Sequence, residues 1–320
     1  MIKTVVGSYP VVTKEPENIW EKLLDILGIY DRYRYAIERA VKDQLDAGVD
    51  IVSDGQVRGD MVEIFVKGLY GFEDKRVVGR VEFLEPITLK DIKFAREIID
   101  RQARGKKGIK GIITGPCTIA ASVKVENYYC DNRDETLIYD LANALKREVE
   151  SIQDYVSVIQ IDEPILSTGL YDLDTARRAI KRICENIKVP VVLHVCGDVS
   201  DIFQELNTFN VDVLDHEFAS TRKNLDILEE ISKKIGFGCI NTKIKSVESV
   251  DDVKDLLKEA LEILRNNPLF SNVKDEEMLK YIMIDPDCGM RPLPVDVAYK
   301  KLKVMVNASE EFERELRERL

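Results

Sequence analysis

The sequence predicts one (β/α)8 TIM barrel spanning residues 1–320, and three observations carry that reading. Eight apolar, strand-like runs are spread along the chain. The stretches between the later runs are amphipathic, with apolar residues recurring every three to four positions as a helix face requires. No glycine-rich dinucleotide or phosphate-loop signature follows any strand, which disfavours a doubly wound sheet. Continuous apolar strands with helical crossovers imply a parallel sheet buried on both faces. Eight such units point to a barrel whose site lies at the C-terminal ends of the strands.

Taken in order, the first run is TVVGS (4–8), which ends in Gly7-Ser8-Tyr9-Pro10, where the glycine permits close approach of a ligand to the backbone. The segment 11–47, with Trp20, Tyr30, Tyr33 and Tyr35, is longer than a simple crossover and is expected to pack outside the barrel. DIVSD (50–54) is the second strand. Residues 62–90 break the alternation and read as an inserted hairpin or strap. The remaining strands are IKGIIT (109–114), SVIQID (157–162), VPVVLHV (189–195), VDVLDHE (211–217), KIGFGCI (234–240) and YIMIDPD (281–287). Residues 134–152 and 251–267 show the clearest helical periodicity.

Composition narrows the partners. A hydrophobic fraction of 45% supports a substantial core, and no apolar run approaches the length of about 18 residues that a membrane span needs. The N-terminus lacks the charged, apolar and small-residue succession of a signal peptide, so a cytoplasmic location is expected. A net charge of −11 without a basic run argues against nucleic acid and anionic membrane as partners. The six cysteines suit a reduced intracellular chain better than a disulfide framework.

Four metal-capable side chains fall at strand ends: His194 and Cys196 in VVLHVCG, Glu217 in VLDHEF and Cys288 in IDPDCGM. His194 and Cys196 are two apart and share a strand face. One nitrogen, two thiolates and a carboxylate suit Zn2+, which takes such ligands tetrahedrally at about 2.0–2.3 Å. His216, next to Glu217, points to the opposite face and is expected to be structural. With only two histidines in the chain, a His-rich hydrolytic centre is nearly excluded. A centre this rich in anionic ligands is a poor Lewis acid but can hold a substrate thiol as thiolate at neutral pH. Cys196 and Glu217 are accordingly expected to be catalytic. Asp162 and Glu163 end the fourth strand at the barrel mouth, where a carboxylate can hold a substrate ammonium.

Seven segments together resemble the catalytic barrel of cobalamin-independent methionine synthase: GSYP at 7–10, RGDMVEIF at 58–65, TGPCT at 114–118, IQIDEP at 159–164, LHVCG at 193–197, HEFAS at 216–220 and DPDCG at 285–289. They span nearly the whole chain in family order. The resemblance implies zinc-dependent methyl transfer to the sulfur of L-homocysteine. Carried over by position, His194, Cys196, Glu217 and Cys288 match the zinc ligands. Asp162 matches the catalytic-site carboxylate that binds the amino group, and Ser8 the backbone that holds the amino acid. Gln56 stands where a substrate-binding glutamate is usual.

The departures shape the expected methyl donor. The segment after TGPCT lacks the family's pterin-stacking tryptophan, and the chain's one tryptophan is Trp20. Asn241 and Lys243 occupy the positions of the family's Asp and proton-donating His. A pterin nitrogen leaves poorly unless protonated, whereas a corrinoid leaves without a proton. The pattern resembles the short archaeal-type core enzymes. The expected donor is therefore a methyl-corrinoid, either methylcobalamin or a corrinoid protein. A methyl-tetrahydropterin donor with Lys243 or a partner supplying the proton, methyl transfer to another thiol such as coenzyme M, and a non-catalytic zinc-bearing binding module are the alternatives.

Overall fold

The computed structural model describes residues 1–103 and 106–318. Eight strands make one sheet: β1 (Ile2–Lys3), β2 (Ile51–Val52), β3 (Gly108–Thr114), β4 (Val158–Asp162), β5 (Val191–Val195), β6 (Val213–Glu217), β7 (Lys234–Ile240) and β8 (Ile282–Pro286). All pairings are parallel, and they run in sequence order from β2 to β8, with β1 beyond β8. The sheet is a nearly closed barrel with helices around it. Every residue of β4, β5, β6 and β8 is buried, as apolar strands covered by helices outside and packed side chains inside must be.

The seam between β1 and β2 is closed by single contacts. The Asp50 N–H donates to Lys3 O at 2.8 Å, the Lys3 N–H donates to the Asp50 carboxylate at 3.0 Å, and the Thr4 hydroxyl donates to Ile51 O at 2.9 Å. Lys107 Nζ reaches the other Asp50 oxygen at 2.7 Å. The first strand was expected over 4–8, but its ladder covers only residues 2–3, extended by Thr4 N–H to Ile284 O. Beyond Thr4 the chain turns toward the barrel mouth. Gly7 is needed there because a β-carbon would lie 2.2 Å from Ile112 Cδ1.

Two further expectations are corrected. The leader 11–47 is not an addition beyond the first crossover but contains it. Arg34–Ala47 is the first crossover helix, burying Ala36, Ile37, Ala40, Val41 and Ala47, while the short helix Ile19–Ile26 buries none of its residues. Nor does each unit carry a full helix. The β5–β6 link has only Phe203–Leu206 and the β6–β7 link a 3-10 stretch at Arg222–Glu229. The interruption at 62–90 is an antiparallel hairpin, Leu69–Glu73 with Arg76–Phe83, preceded by the helix Met61–Val66. The helix predicted over 134–152 is Glu135–Ile152, and that over 251–267 is Val250–Leu264. No helix among the described residues is long and apolar enough to cross a membrane.

Because Asp50 serves both strands of the seam, Asp50→Ala should lower stability by about 1 kcal/mol, read by denaturant melts. Burial works against the Asp50 carboxylate, but Lys107 and the Lys3 N–H outweigh it and hold it below its ordinary value of 3.8. A depressed carboxylate stabilises the fold above its unfolded value and loses that contribution as pH falls through the folded one. The gap between the parent and Asp50→Ala should therefore close below about pH 3.8.

Candidate active site

Parallel pairing without a register slip brings the site together. Asp162 on β4 is level with His194 on β5, and His194 is level with Asp215 on β6. Cys196 lies one residue past β5, Glu217 ends β6, and Cys288 follows β8. The ligand atoms of His194, Cys196 and Cys288 lie within 4.8 Å of one another. His194 Nε2 is 2.8 Å from Cys196 Sγ, which is 3.2 Å from Cys288 Sγ. His194 Nδ1 is 3.0 Å from Asp215 Oδ2. With the proton on Nδ1 donated to Asp215, Nε2 presents its lone pair to the sulfurs. Gly236 makes room for Asp215, since a β-carbon there would lie 2.6 Å from Asp215 Cβ.

Glu217 is placed differently. Its Oε2 accepts from Lys243 Nζ at 2.7 Å, Thr221 Oγ1 at 3.0 Å and Ser220 Oγ at 3.3 Å, and it lies outside the three-residue cluster. Burial disfavours the Lys243 ammonium, but Glu217 more than offsets that and holds it above its ordinary range. The two sulfurs are in hydrogen-bond contact. The hydrogen bond from Cys196 pushes Cys288 down to about 5 against its burial, and the same bond raises Cys196. An oriented imidazole beside a thiol–thiolate pair fits zinc, and the Glu217 carboxylate at the next strand end completes the donor types that zinc accepts.

The expected substrate-binding residues meet at the same mouth. Asp162 is buried and accepts from Gln160 Nε2 at 2.7 Å, and burial pushes its carboxyl up to about 6. Ser8 O accepts the Met290 N–H at 2.8 Å, two residues from Cys288. Gly289 packs closely against Ser8, where a β-carbon would sit 2.1 Å from the Ser8 Oγ. Gln56 holds a left-handed backbone, φ 46°, and its carbonyl accepts from Arg291. Glu163 turns away from Asp162. It accepts the Cys117 and Thr118 N–H groups at 2.9 and 2.8 Å, capping the helix Pro116–Ala121, so the acidic pair divides into one site residue and one structural cap. His216 faces outward from the barrel, with Nδ1 3.0 Å from Val195 O and its ring edge-on to Phe203. Burial lowers its pKa to about 4 and keeps it neutral.

Reasoning from sequence missed several residues. Asp215 orients His194, and Asp287 accepts from the Phe218, Ala219 and Ser220 N–H groups, which shapes the loop after Glu217. Lys110 is buried in β3, with Nζ 2.7 Å from Val5 O and 2.6 Å from Gln160 Oε1. The available signal was alternation. Asp215 and Glu217, Gln160 and Asp162, and Asp285 and Asp287 are each two apart in strand-like runs, so each pair shares a face.

The family described as cobalamin-independent synthase, catalytic domain, matches residues 1–311. The chain belongs to this family. A methionine synthase of Methanocaldococcus jannaschii is 61% identical over 310 residues, covering 97% of this chain and 98% of that protein. One of Methanothermobacter marburgensis is 46% identical over 327 residues, covering 98% and 100%. The solved structure of a B12-independent methionine synthase from Shewanella sp. W3-18-1, in complex with selenomethionine, superposes with a TM-score of 0.80 at 24% identity, covering 98% of both chains. This last likeness speaks for the barrel fold. As a family member the chain is a methyltransferase of the methionine synthase type.

Family membership corrects the expected donor. The family is the cobalamin-independent one, which overturns the methyl-corrinoid reading and removes methylcobalamin and a corrinoid protein as partners. That reading inferred the donor from a missing pterin-stacking tryptophan and from the absence of a histidine acid at position 243. The structure has a cationic, proton-bearing group there, Lys243, directed at the site, so a missing histidine does not amount to a missing proton.

Asp215→Asn keeps the shape of the side chain but loses the anionic acceptor for His194 Nδ1. It should weaken zinc binding by about 10–100-fold, measured by competition with a chromophoric chelator.

Proposed function

We propose that this protein transfers a methyl group from a methyl-tetrahydropterin to the thiol of L-homocysteine, giving methionine, with Zn2+ held by His194, Cys196, Cys288 and Glu217. The observation that carries the reading is the convergence of His194, Cys196 and Cys288 beside a buried carboxylate, Asp162, level with His194 on the neighbouring strand. Zinc in such a set supplies a thiolate at neutral pH where a free thiol ionises near about 8.5. Asp162 accepts the substrate ammonium, and its hydrogen bond from Gln160 fixes the carboxylate for that role. The Ser8 backbone and Gln56 bound the amino-acid end of the pocket. A lone pair of the homocysteine sulfur attacks the methyl carbon, the C–N bond electrons pass to the pterin nitrogen, and that nitrogen takes a proton. The whole chain acts as one catalytic barrel. Its six cysteines are free, which suits a reducing compartment, and the reaction is assigned to the cytoplasm.

The reading is tested by incubating zinc-loaded protein with homocysteine and N5-methylated tetrahydropterins and measuring methionine. Methionine is expected, with turnover abolished in Cys196→Ser and Cys288→Ser. No methionine from any pterin would remove the donor, and normal turnover by a metal-free Cys288→Ser protein would remove the zinc role. Asp162→Asn should raise the homocysteine KM by about 10–100-fold, the worth of a charge-assisted hydrogen bond, in steady-state assays.

A further inference from the structure

The lower end of the barrel, where the strands begin, holds a cavity that no step of the methyl transfer uses. Ile51, Val158, Val213 and Met283 come from the alternate strands β2, β4, β6 and β8 and pack together as the lowest interior layer. Beneath them lies a cavity of about 440 Å3 that all four line. Apolar walls, a few polar groups and a volume of roughly 300–1,000 Å3 are the make-up of a small-molecule site. The metal-capable cluster is at the opposite end of the same sheet, past the C-terminal ends of β5 and β8.

Two opposite charges stand at the edge of this cavity. Asp212 immediately precedes β6 and Lys233 immediately precedes β7. Asp212 Oδ2 accepts the Val191 N–H at 2.8 Å, which fixes the carboxylate and leaves Oδ1 to the cavity side chains or solvent. Lys233 Nζ donates to Phe209 O, which uses one of its three N–H groups. Neither side chain forms an ion pair among the described residues. Burial holds the Lys233 ammonium below its ordinary range, and the Asp212 charge only partly opposes it. A part-buried cation without a counter-ion is costly, so this edge is poised to receive one. Lys234, the next residue, lines the same edge and adds a second positive charge.

An apolar hollow edged by an unpaired cation and an unpaired anion matches one ligand chemistry, that of an α-amino acid with an apolar side chain. We propose that the lower end of the barrel is a second, non-catalytic site for such an amino acid. Its side chain lies under the layer of Ile51, Val158, Val213 and Met283, its carboxylate meets Lys233 and its ammonium meets Asp212. A fatty acid would leave Asp212 unanswered, and a hydrocarbon would leave both charges so. The methionine assigned above as product belongs to this class, but the site stands on its own residues and does not rest on that assignment.

Calorimetric titration of the full chain with leucine and with methionine tests it, with hexanoate as a probe that lacks the amino group. Leucine has no sulfur to offer a metal, so it separates this cavity from the zinc cluster. Leucine binding is expected, about tenfold weaker in Lys233→Met and in Asp212→Asn, the lower end of what a charge-assisted hydrogen bond contributes. Asp162→Asn, at the other end of the barrel, should leave the leucine affinity unchanged. Hexanoate should bind the parent at least about tenfold more weakly than leucine, a comparison that needs no variant to fold. No binding of either amino acid overturns the proposal. So does binding that both edge variants leave unchanged, leucine binding weakened by Asp162→Asn, or hexanoate binding as tightly as leucine.

Discussion

The register of β4, β5 and β6 is the constraint on which the rest of the site depends. Two parallel ladders without a slip put Asp162, His194 and Asp215 at one level of the barrel. A shift of one residue would send each of these side chains to the opposite face. His194 would then leave the sulfurs, and His216, now neutral between sheet and helices, would take its place inside. Burial on both faces secures the register, because every residue of these three strands is enclosed.

The two ends of the barrel are chemically different. Near β1 and the strand starts, Val158, Val192, Val213 and Met283 form a small apolar layer. Above it, Lys110, Gln160, Asp215 and Asp285 are buried polar groups where a barrel interior is more often branched and apolar. Asp215 Oδ1 and Asp285 Oδ1 find no hydrogen-bond partner among the described residues. Burial and the neighbouring Asp215 charge push the Asp285 carboxyl well above its ordinary range. The polar layer costs stability and supplies, in return, a fixed electrostatic floor under the cluster of His194, Cys196 and Cys288.

Lys243 shows how a substitution can mislead when read along the chain alone. Seen as the loss of a histidine acid, it suggested a donor that needs no proton. In three dimensions it is a cation against Glu217, carried on a turn whose Asn241 is anchored by Lys301, sixty residues further along the chain. Its meaning depends on contacts that no local spacing reveals.

Much was nonetheless legible in the sequence. Apolar runs and helical periodicity located the strands β2 to β8 and the long helices, because buried strands and amphipathic faces need those residues in that order. His194 and Cys196 were paired by their spacing, and Cys288 was placed with them by the logic of strand ends. Local pattern could not measure how far a strand pairs, so β1 came out at two residues. It could not tell an exposed helix, Ile19–Ile26, from a crossover helix, Arg34–Ala47. Nor could it say that Glu163 caps a helix while Asp162 beside it faces inward. These were decided by tertiary structure, through non-local partners such as Ile284 for Thr4, Thr118 for Glu163 and Lys243 for Glu217. Sequence by itself set which groups stand at the strand ends, since that follows from local periodicity. Only the closed barrel decided which of them meet and which are held apart.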